Sequence, residues 1–328
     1  EGPLSPQPLF ALAERNNIQL PTNDAAFESP ITLQDRYERF TNLQDFLDYY
    51  YIGMNCLIHA EDFEELAYNY FVRAKADGAV HCEVFFDPQA HTERGVAYET
   101  VVKGFSAACK RAQEELGLST QLVMCFLRHL SGEDAMIHYK MAEKFGHFVD
   151  GTLGGIGLDS GEVGNKPEKF TEVYALAKEQ GVRRTAHAGE EGDCTYIRGA
   201  LDVGAQRIDH GIRLVEDEGL MREVAEKKIL LTVCPISNLK LQAIKAIKEV
   251  PIKKFLAAGV KFQLNSDDPA YFGGYLLDNY CAVQEAHNLT EAEWKTIADS
   301  GVDGCWADEK RKEWIREQIQ QWAKIYNC

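Results

Sequence analysis

Seven short apolar runs recur from residue 79 onwards, and segments with helical periodicity separate them. The runs cover residues 80–86, 121–127, 153–158, 182–186, 207–208, 229–233 and 260–264. Their starts lie roughly 20 to 40 residues apart, which is the spacing of units made of one strand and one helix. A strand that is followed by a crossover helix returns to the same sheet in the parallel direction. The sequence therefore predicts an α/β fold built on a parallel sheet.

A (β/α)8 barrel of the TIM type accounts for this pattern better than an open doubly wound sheet. No run is followed by the G-x-G-x-x-G turn of a dinucleotide-binding sheet, and the glycines of residues 153–157 have a different spacing. A closed barrel needs eight strands. Since the segment before residue 79 has helical periodicity, we expect the first strand to precede Glu1, where the chain opens without Met. The open sheet stays the alternative.

The segments on either side of the barrel have helical patterns. Amphipathic stretches at 46–58 and 61–75 precede the first run, and Thr41 to Gln44 has the spacing of a capping box. A second such box, Thr290 to Glu293, opens a Trp-rich tail that we expect on the outside of the barrel. We predict one domain, 1–328, made of a helical segment (1–78), a barrel (79–288) and C-terminal helices (289–328).

The charge balance argues against several classes of partner. With 35 Lys and Arg against 51 Asp and Glu, the net charge is -16, which repels phosphate backbones and anionic lipid. The nine cysteines are dispersed without a C-x-x-C pair, a pattern typical of reduced thiols inside the cell. No apolar run has the roughly 18 residues of a spanning helix, and no secretion signal opens the chain. We predict a cytoplasmic or nuclear protein without nucleic-acid or membrane partners.

Polar residues follow nearly every apolar run. They are Asp87-Pro88-Gln89, Arg128-His129, Asp159-Ser160-Gly161-Glu162, His187-Ala188-Gly189-Glu190-Glu191, Asp209-His210-Gly211, Cys234-Pro235-Ile236-Ser237-Asn238 and Asn265-Ser266-Asp267-Asp268-Pro269. Parallel barrels carry their chemistry at the carboxyl ends of the strands. We therefore expect the carboxylates of Asp159, Glu162, Glu190, Asp267 and Asp268 to converge on one bowl.

Crowded carboxylates in a desolvated bowl cannot all stay ionised, so some take up protons or a cation binds among them. With His187 and His210 in the same bowl, a divalent metal held by nitrogen and oxygen is the simplest solution. Zinc fits such a donor set, and iron or cobalt would fit too. Each residue also has a purely structural interpretation. His187 and His210 could be hydrogen-bonded core residues, and residues 266–269 could form a turn or a helix N-cap.

Four segments together resemble the adenosine/adenine deaminase family of metal-dependent aminohydrolases. They are Thr185-Ala186-His187-Ala188-Gly189-Glu190, Arg207-Ile208-Asp209-His210-Gly211, Cys234-Pro235-Ile236-Ser237-Asn238 and Leu264-Asn265-Ser266-Asp267-Asp268-Pro269. The resemblance runs in order over nearly the whole chain. Residues 85–89 and the opening Glu1-Gly2 are similar to the branch of the family that acts on adenine in fungi and bacteria.

The resemblance implies a zinc-dependent hydrolytic deamination of adenine to hypoxanthine and ammonia in purine salvage, with one zinc per chain. It implies that His187 and Asp267 are metal ligands and that Glu190 protonates N1 of the purine. His210 would orient and deprotonate the attacking water, and Asp268 would hydrogen-bond N7. Glu190 needs a raised pKa to hold its proton near neutrality, and we expect the neighbouring carboxylates to raise it.

The resemblance also implies a role for Ser160 and two further metal ligands that residues 1–328 lack. Ser160 aligns with a position whose backbone N–H faces N3 of the purine. The two remaining family ligands are a His-x-His pair on a strand that would precede Glu1. Because two protein ligands hold zinc weakly, we expect the chain 1–328 to be inactive and the full-length protein to be active.

Two other functions stay open. Adenosine deamination depends on whether the pocket beside Glu1 and Asp87 has room for a ribose. A catalytically silent purine-binding homologue is the other alternative, because the His-x-His pair is absent. Nucleotides are less favoured, since no basic cluster accompanies the motifs. The sequence predicts a small-molecule purine as the partner and makes no prediction of oligomeric state.

Overall fold

The computed structural model describes residues 2–326, and a seven-stranded parallel sheet lies at its centre. The strands are β1 (His81–Phe86), β2 (Ser119–Leu127), β3 (Leu153–Asp159), β4 (Arg183–Ala188), β5 (Arg207–His210), β6 (Leu230–Val233) and β7 (Lys261–Leu264). Each strand pairs in parallel with the next one along the chain, so the order in the sheet is the order in the sequence. The seven predicted strands are confirmed.

The sheet curls into part of a barrel. Arg207 on β5 forms an ion pair with Glu83 on β1, a contact that an open, flat sheet of this strand order would not permit. The TIM-type prediction is confirmed, and the open doubly wound alternative is wrong. Within residues 2–326, β1 and β7 are the edges of the sheet and each pairs on one side only.

Helices surround the sheet and account for most of the remaining chain. They are α1 (Pro6–Arg15), α2 (Pro30–Tyr37), α3 (Leu43–Met54), α4 (Ala60–Ala76), α5 (Pro88–Thr92), α6 (Tyr98–Leu116), α7 (Gly132–Phe145), α8 (Thr171–Glu179), α9 (Cys194–Asp202), α10 (Glu218–Glu226), α11 (Pro235–Lys240), α12 (Ile252–Ala258), α13 (Pro269–Phe272), α14 (Leu276–His287), α15 (Glu291–Gly304) and α16 (Glu309–Tyr326). No helix of the described residues is long and apolar enough to span a membrane.

Helix α3 lies over the carboxyl ends of the strands. Its N-cap is Asn42, whose side chain accepts a hydrogen bond from the backbone N–H of Asp45, so the helix begins one residue later than predicted and the capping box of Thr41 and Gln44 is wrong. The apolar face of α3 is buried, and Phe46 packs edge-on against Tyr271 in α13, the short helix that follows β7. This packing brings α3 into position as a roof over the strand ends.

The C-terminal tail reaches further into the barrel than expected. The capping box of Thr290 and Glu293 at the start of α15 is confirmed. Trp306, between α15 and α16, is buried against Val123 and Cys125, and its ring lies 4.1 Å from the guanidinium of Arg207. Trp306 therefore departs from the expectation that the tail lies on the outside of the barrel. Trp306 closes the end of the barrel opposite to α3.

The division of 1–328 into three parts of one domain stays a prediction. The cysteines among residues 2–326 are free thiols, as predicted.

Candidate active site

A cavity of about 490 Å³ opens where the strands end, beneath α3. The five residues that the resemblance assigned to the site all line it: His187, Glu190, His210, Asp267 and Asp268. Asp159 and Ser160 line it as well. The cavity also continues down between β1 and β7, where Glu83 and Gln263 line it. The structure thus brings the predicted site together from four different strand ends.

His187 on β4 is held in one tautomer by its surroundings. Its Nδ1 lies 3.0 Å from the carbonyl oxygen of Leu158 and 3.7 Å from Oδ2 of Asp209. Since both neighbours are acceptors, Nδ1 carries the hydrogen and Nε2 keeps its lone pair. Burial lowers the pKa of His187 more than the carboxylate of Asp209 raises it. The imidazole is therefore neutral, which is the form that binds a metal ion.

Asp209 is itself fixed by two hydroxyl groups. Thr185 donates to its Oδ2 at 2.6 Å and Thr232 donates to its Oδ1 at 2.8 Å. The three residues lie on neighbouring strands, and Asp209 is directly opposite His187 in the register of β4 and β5. Sequence reasoning gave Asp209 no role. The equal positions of His187 and Asp209 near the ends of two consecutive strands were the signal that could have revealed it.

His210 faces the cavity although it is almost fully buried. Its ring centroid lies 5.1 Å from that of His187. Its Nε2 lies 3.6 Å from Oε2 of Glu190 and 3.6 Å from Oδ2 of Asp267. The other ring nitrogen, Nδ1, contacts the side-chain amide of Asn238 at 3.2 Å. His210 is thus a residue of the cavity wall and not only a packed core residue.

Three polar residues at the mouth of the cavity have left-handed backbone conformations. The φ angles are 72° for Ser160, 62° for His210 and 55° for Asp267. Such conformations cost on the order of 1–3 kcal/mol each outside glycine, and they concentrate at functional sites. In this structure they turn the chain sharply at the ends of β3, β5 and β7.

His187, His210 and Asp267 offer a set of donor atoms for a divalent metal. One ligand atom from each residue lies within 4.8 Å of those of the other two. Two imidazole nitrogens and one carboxylate oxygen suit zinc and other first-row metals. The neutral state of His187 and its hydrogen bond to Leu158 agree with this use. The residues fit a metal, and the geometry places His210 directly beside the pair of His187 and Asp267 that the resemblance implied.

Glu190 and Asp268 are carboxyl groups that favour the protonated state. Burial is the largest cause that raises the pKa of Glu190 well above its ordinary value, and the charges of Asp267, Glu162 and Glu191 add to it. Burial also raises the pKa of Asp268, with Asp267 as the next cause. The prediction of a raised pKa for Glu190 is therefore confirmed in direction, although burial contributes more than the neighbouring carboxylates.

The position of Asp268 is constrained by the residues packed around it. It precedes α13, but its side chain makes no capping hydrogen bond, so the N-cap interpretation does not explain it. Gly2 packs so closely on Asp268 that a Cβ at Gly2 would overlap the carboxylate and the Cα of Asp268. The backbone carbonyl of Gly2 also accepts a hydrogen bond from the N–H of Ala270 at 3.2 Å. Glu1, which was expected beside the pocket, lies outside the described residues.

Glu162 departs from the expected bowl of carboxylates. It does not line the cavity, and both of its oxygens accept hydrogen bonds from the backbone of residues 189–192. The prediction that the Glu162 carboxylate lies in the cavity with the other acids is wrong, because both of its oxygens accept hydrogen bonds from backbone N–H groups of the loop after β4.

Nearly the whole sequence matches a known family. The family model described as adenosine deaminase matches residues 1–322. The chain belongs to the adenosine deaminase family. The resemblance that was based on the four motifs is thereby confirmed.

Several relatives from this family are similar over almost their full length. An adenine deaminase of Aspergillus fumigatus is 56% identical over 321 residues, which are 97% of this chain and 91% of that protein. An adenine deaminase of Schizosaccharomyces pombe is 55% identical over 329 residues, which are 100% of this chain and 90% of that protein. The crystal structure of an adenine deaminase from Arthrobacter aurescens has a TM-score of 0.92 at 42% identity, and the match covers 98% of this chain and 96% of that one.

In this adenosine deaminase family member, three residues that had no predicted role support the site. Asn238 touches His210, and Arg128 donates from its Nη1 to the carbonyl of His187 at 2.8 Å. Tyr51 on α3 donates to Oγ of Ser160 at 2.9 Å. Arg128 follows β2, Tyr51 lies on α3 and Asn238 lies on α11, and nothing in their spacing indicates which atom they contact.

Proposed function

We propose that this protein catalyses the hydrolytic deamination of adenine to hypoxanthine and ammonia, as a step of purine salvage. The observation that carries the proposal is the convergence of His187, His210 and Asp267 with the buried carboxyls of Glu190 and Asp268 in one cavity. The fungal relatives named adenine deaminase, at 56% and 55% identity, support this choice of substrate.

His187 and Asp267 would hold one zinc ion per chain, and His210 would stay free to act as a base beside them. When bound, zinc would act as a Lewis acid and make water a nucleophile near neutral pH. The donor set and the neutral imidazole of His187 support this assignment.

Glu190 would serve as the proton donor. Attack at C6 of adenine moves electron density onto N1, so a protonated carboxyl beside N1 stabilises the developing charge. The raised pKa of Glu190 keeps that proton available near neutral pH. Asp268 would hydrogen-bond N7, and the backbone N–H of Ser160 would face N3 of the ring.

His210 would orient the attacking water and accept its proton. For this role Nε2 needs a free lone pair, so Nδ1 must donate its hydrogen to an acceptor. The buried Oδ1 of Asn238 makes no hydrogen bond to the described residues, while Nδ2 faces His210. Rotation of this amide by half a turn would place Oδ1 on Nδ1–H and leave Nε2 as the base.

Turnover of two substrates by the zinc-loaded full-length protein tests the function. We expect release of ammonia and hypoxanthine from adenine at a kcat/KM well above that for adenosine. Adenosine is the second candidate because the matching family model is described as adenosine deaminase. A higher kcat/KM for adenosine than for adenine would identify adenosine as the substrate. A zinc-loaded protein that binds purines without turnover would instead support a catalytically silent homologue.

The cytoplasmic or nuclear location and the absence of nucleic-acid and membrane partners stay predictions.

A further inference from the structure

The carboxylate of Glu162 accepts hydrogen bonds from four consecutive backbone N–H groups. Oε1 accepts from Gly189 at 2.6 Å. Oε2 accepts from Glu190 at 3.1 Å, from Glu191 at 3.0 Å and from Gly192 at 2.8 Å. Glu162 is only 1% exposed. Both of its oxygens are therefore used to hold one loop, which we call the acid loop (residues 189–192).

The acid loop carries the proposed proton donor and is tied to the roof of the cavity. Glu190 is its second residue. The side chain of Glu191 accepts a hydrogen bond from the N–H of Leu43, the first residue of α3, at 3.0 Å. Gly189 has a φ of 71°, and a Cβ there would lie 2.6 Å from the side chain of Ile197. The loop is thus tightly packed and connects Glu190 to α3.

Arg128 supports the same region from the end of β2. Its guanidinium is buried, with Nη1 on the carbonyl of His187 at 2.8 Å and Nε on the carbonyl of Asn165 at 2.9 Å. Although burial lowers the pKa of Arg128, the nearby charge of Glu162 is the foremost influence in the opposite direction. Two buried opposite charges therefore hold the main chain at His187 and at the acid loop.

The side chain of Glu190 has little else to place it. Its buried Oε1 makes no hydrogen bond to the described residues, and Oε2 is 3.6 Å from His210. Because the carboxyl oxygens of Glu190 are left to contact a ligand, the position of this carboxyl group depends on the backbone that carries it. A displacement of about 1 Å at a reacting group can cost roughly 100-fold in rate.

We propose that Glu162, supported by Arg128, is a positioning residue for the Glu190 carboxyl. This inference rests on the proposed function and assigns to Glu162 the task of setting where Glu190 meets the purine. A carboxylate suits the task because both of its oxygens only accept. A glutamine amide would turn one NH2 group towards N–H donors.

Glu162→Gln in the zinc-loaded full-length enzyme tests the inference. We expect kcat for adenine to fall roughly 10- to 100-fold, while KM and zinc content stay within about twofold of wild type. We also expect faster hydrogen exchange at the amides of the acid loop and unchanged exchange in β4 and β5. Glu162→Asp, which keeps two accepting oxygens, should recover part of kcat. Glu172→Gln, on the exposed face of α8, is the matched control and should change none of these quantities.

Several results would overturn the inference. An unchanged kcat in Glu162→Gln would show that Glu162 does not position Glu190. Loss of zinc, or faster hydrogen exchange across the whole barrel, would indicate that Glu162 has a purely structural role. If Glu162→Gln does not fold, Glu162→Asp decides by the same measurements, with a smaller expected loss of kcat. A wild-type enzyme that does not deaminate adenine would overturn the proposed function together with the inference, whereas an active wild type with an unaffected Glu162→Gln variant would overturn the inference alone.

Discussion

The carboxylate of Asp209 lies 3.7 Å from Nδ1 of His187, and the two residues are direct neighbours in the register of β4 and β5. Thr185 and Thr232 hold Asp209 from either side. A carboxylate that orients a ligand histidine makes that histidine a better donor and keeps its ring in place. The parallel pairing of two strands thus places a supporting residue beside a candidate metal ligand.

Asp209→Asn is expected to weaken zinc binding by roughly 10- to 100-fold, because it removes the charge beside Nδ1 of His187. Zinc titration of the metal-free full-length protein measures this. Asp202→Asn, an exposed residue on α9, is the control for loss of one negative charge. Equal zinc affinity in wild type and Asp209→Asn would show that Asp209 does not act on the metal site.

Glu190→Gln is expected to lower kcat by roughly 100- to 10,000-fold, because the amide cannot deliver a proton to N1. Zinc content should stay at one ion per chain, since Glu190 is not in the candidate donor set. Glu179→Gln on the surface of α8 is a suitable control. Wild-type turnover by Glu190→Gln would remove Glu190 from the mechanism.

Gly2→Ala is expected to displace Asp268, because the added methyl group has no space beside its carboxylate. We expect kcat/KM for adenine to fall by roughly 10-fold or more, with little change in the melting temperature. Ser5→Ala, at the cap of α1 where the side chain makes no capping hydrogen bond, controls for changes near the N-terminus. A Gly2→Ala variant with normal kinetics would indicate that Asp268 does not bind the base.

The buried pair of Glu83 and Arg207 should make stability depend on pH. Burial raises the pKa of Glu83, but Arg207 and His81 outweigh it and lower the value to about 2 from an ordinary 4.5. A lowered folded-state pKa stabilises the fold above the ordinary value, and this stabilisation is lost as the pH falls towards 2.

Chemical denaturation between pH 6 and pH 2 tests this expectation. Glu83→Gln should be less stable than wild type by about 3–5 kcal/mol near neutral pH, because Arg207 loses its buried partner. The difference should shrink at low pH. A constant difference over the whole range would contradict the assignment.

An upstream segment with a His-x-His pair is expected to complete zinc binding. Chain 1–328 offers His187 and Asp267 as the two metal ligands beside the base His210, and the edges of β1 and β7 flank the cavity. We expect weak zinc binding and no turnover by chain 1–328, and tight binding with turnover once a segment with His-x-His is joined before Glu1. The same segment with both histidines changed to alanine is the control. Activity of chain 1–328 by itself would contradict this expectation.

Much of the site could be located before the structure was known, because strand ends are visible as the point where an apolar run gives way to polar residues. His187, Glu190, His210, Asp267 and Asp268 all stand at such points and all line one cavity. His187, His210 and Asp267 lie together because the parallel strands that carry them end on the same side of the barrel.

The spacing of apolar and polar residues did not predict the role of residues whose function depends on the direction of the side chain. Glu162 stands among the acids at a strand end, yet it binds four backbone N–H groups. Trp306 lies in a tail that looks peripheral, yet it packs under Arg207. Neither outcome has a signature in the spacing of apolar and polar residues.

The amino-acid order was sufficient for the strand positions, the parallel sheet and the set of polar residues at its carboxyl edge, since these depend on local periodicity and on the rules of chain connection. Folding in three dimensions settled which of those polar groups face the cavity and which support it. The physical reason is that a buried carboxylate is stabilised equally well by a metal site or by backbone N–H donors, and the choice depends on which atoms distant parts of the chain bring beside it.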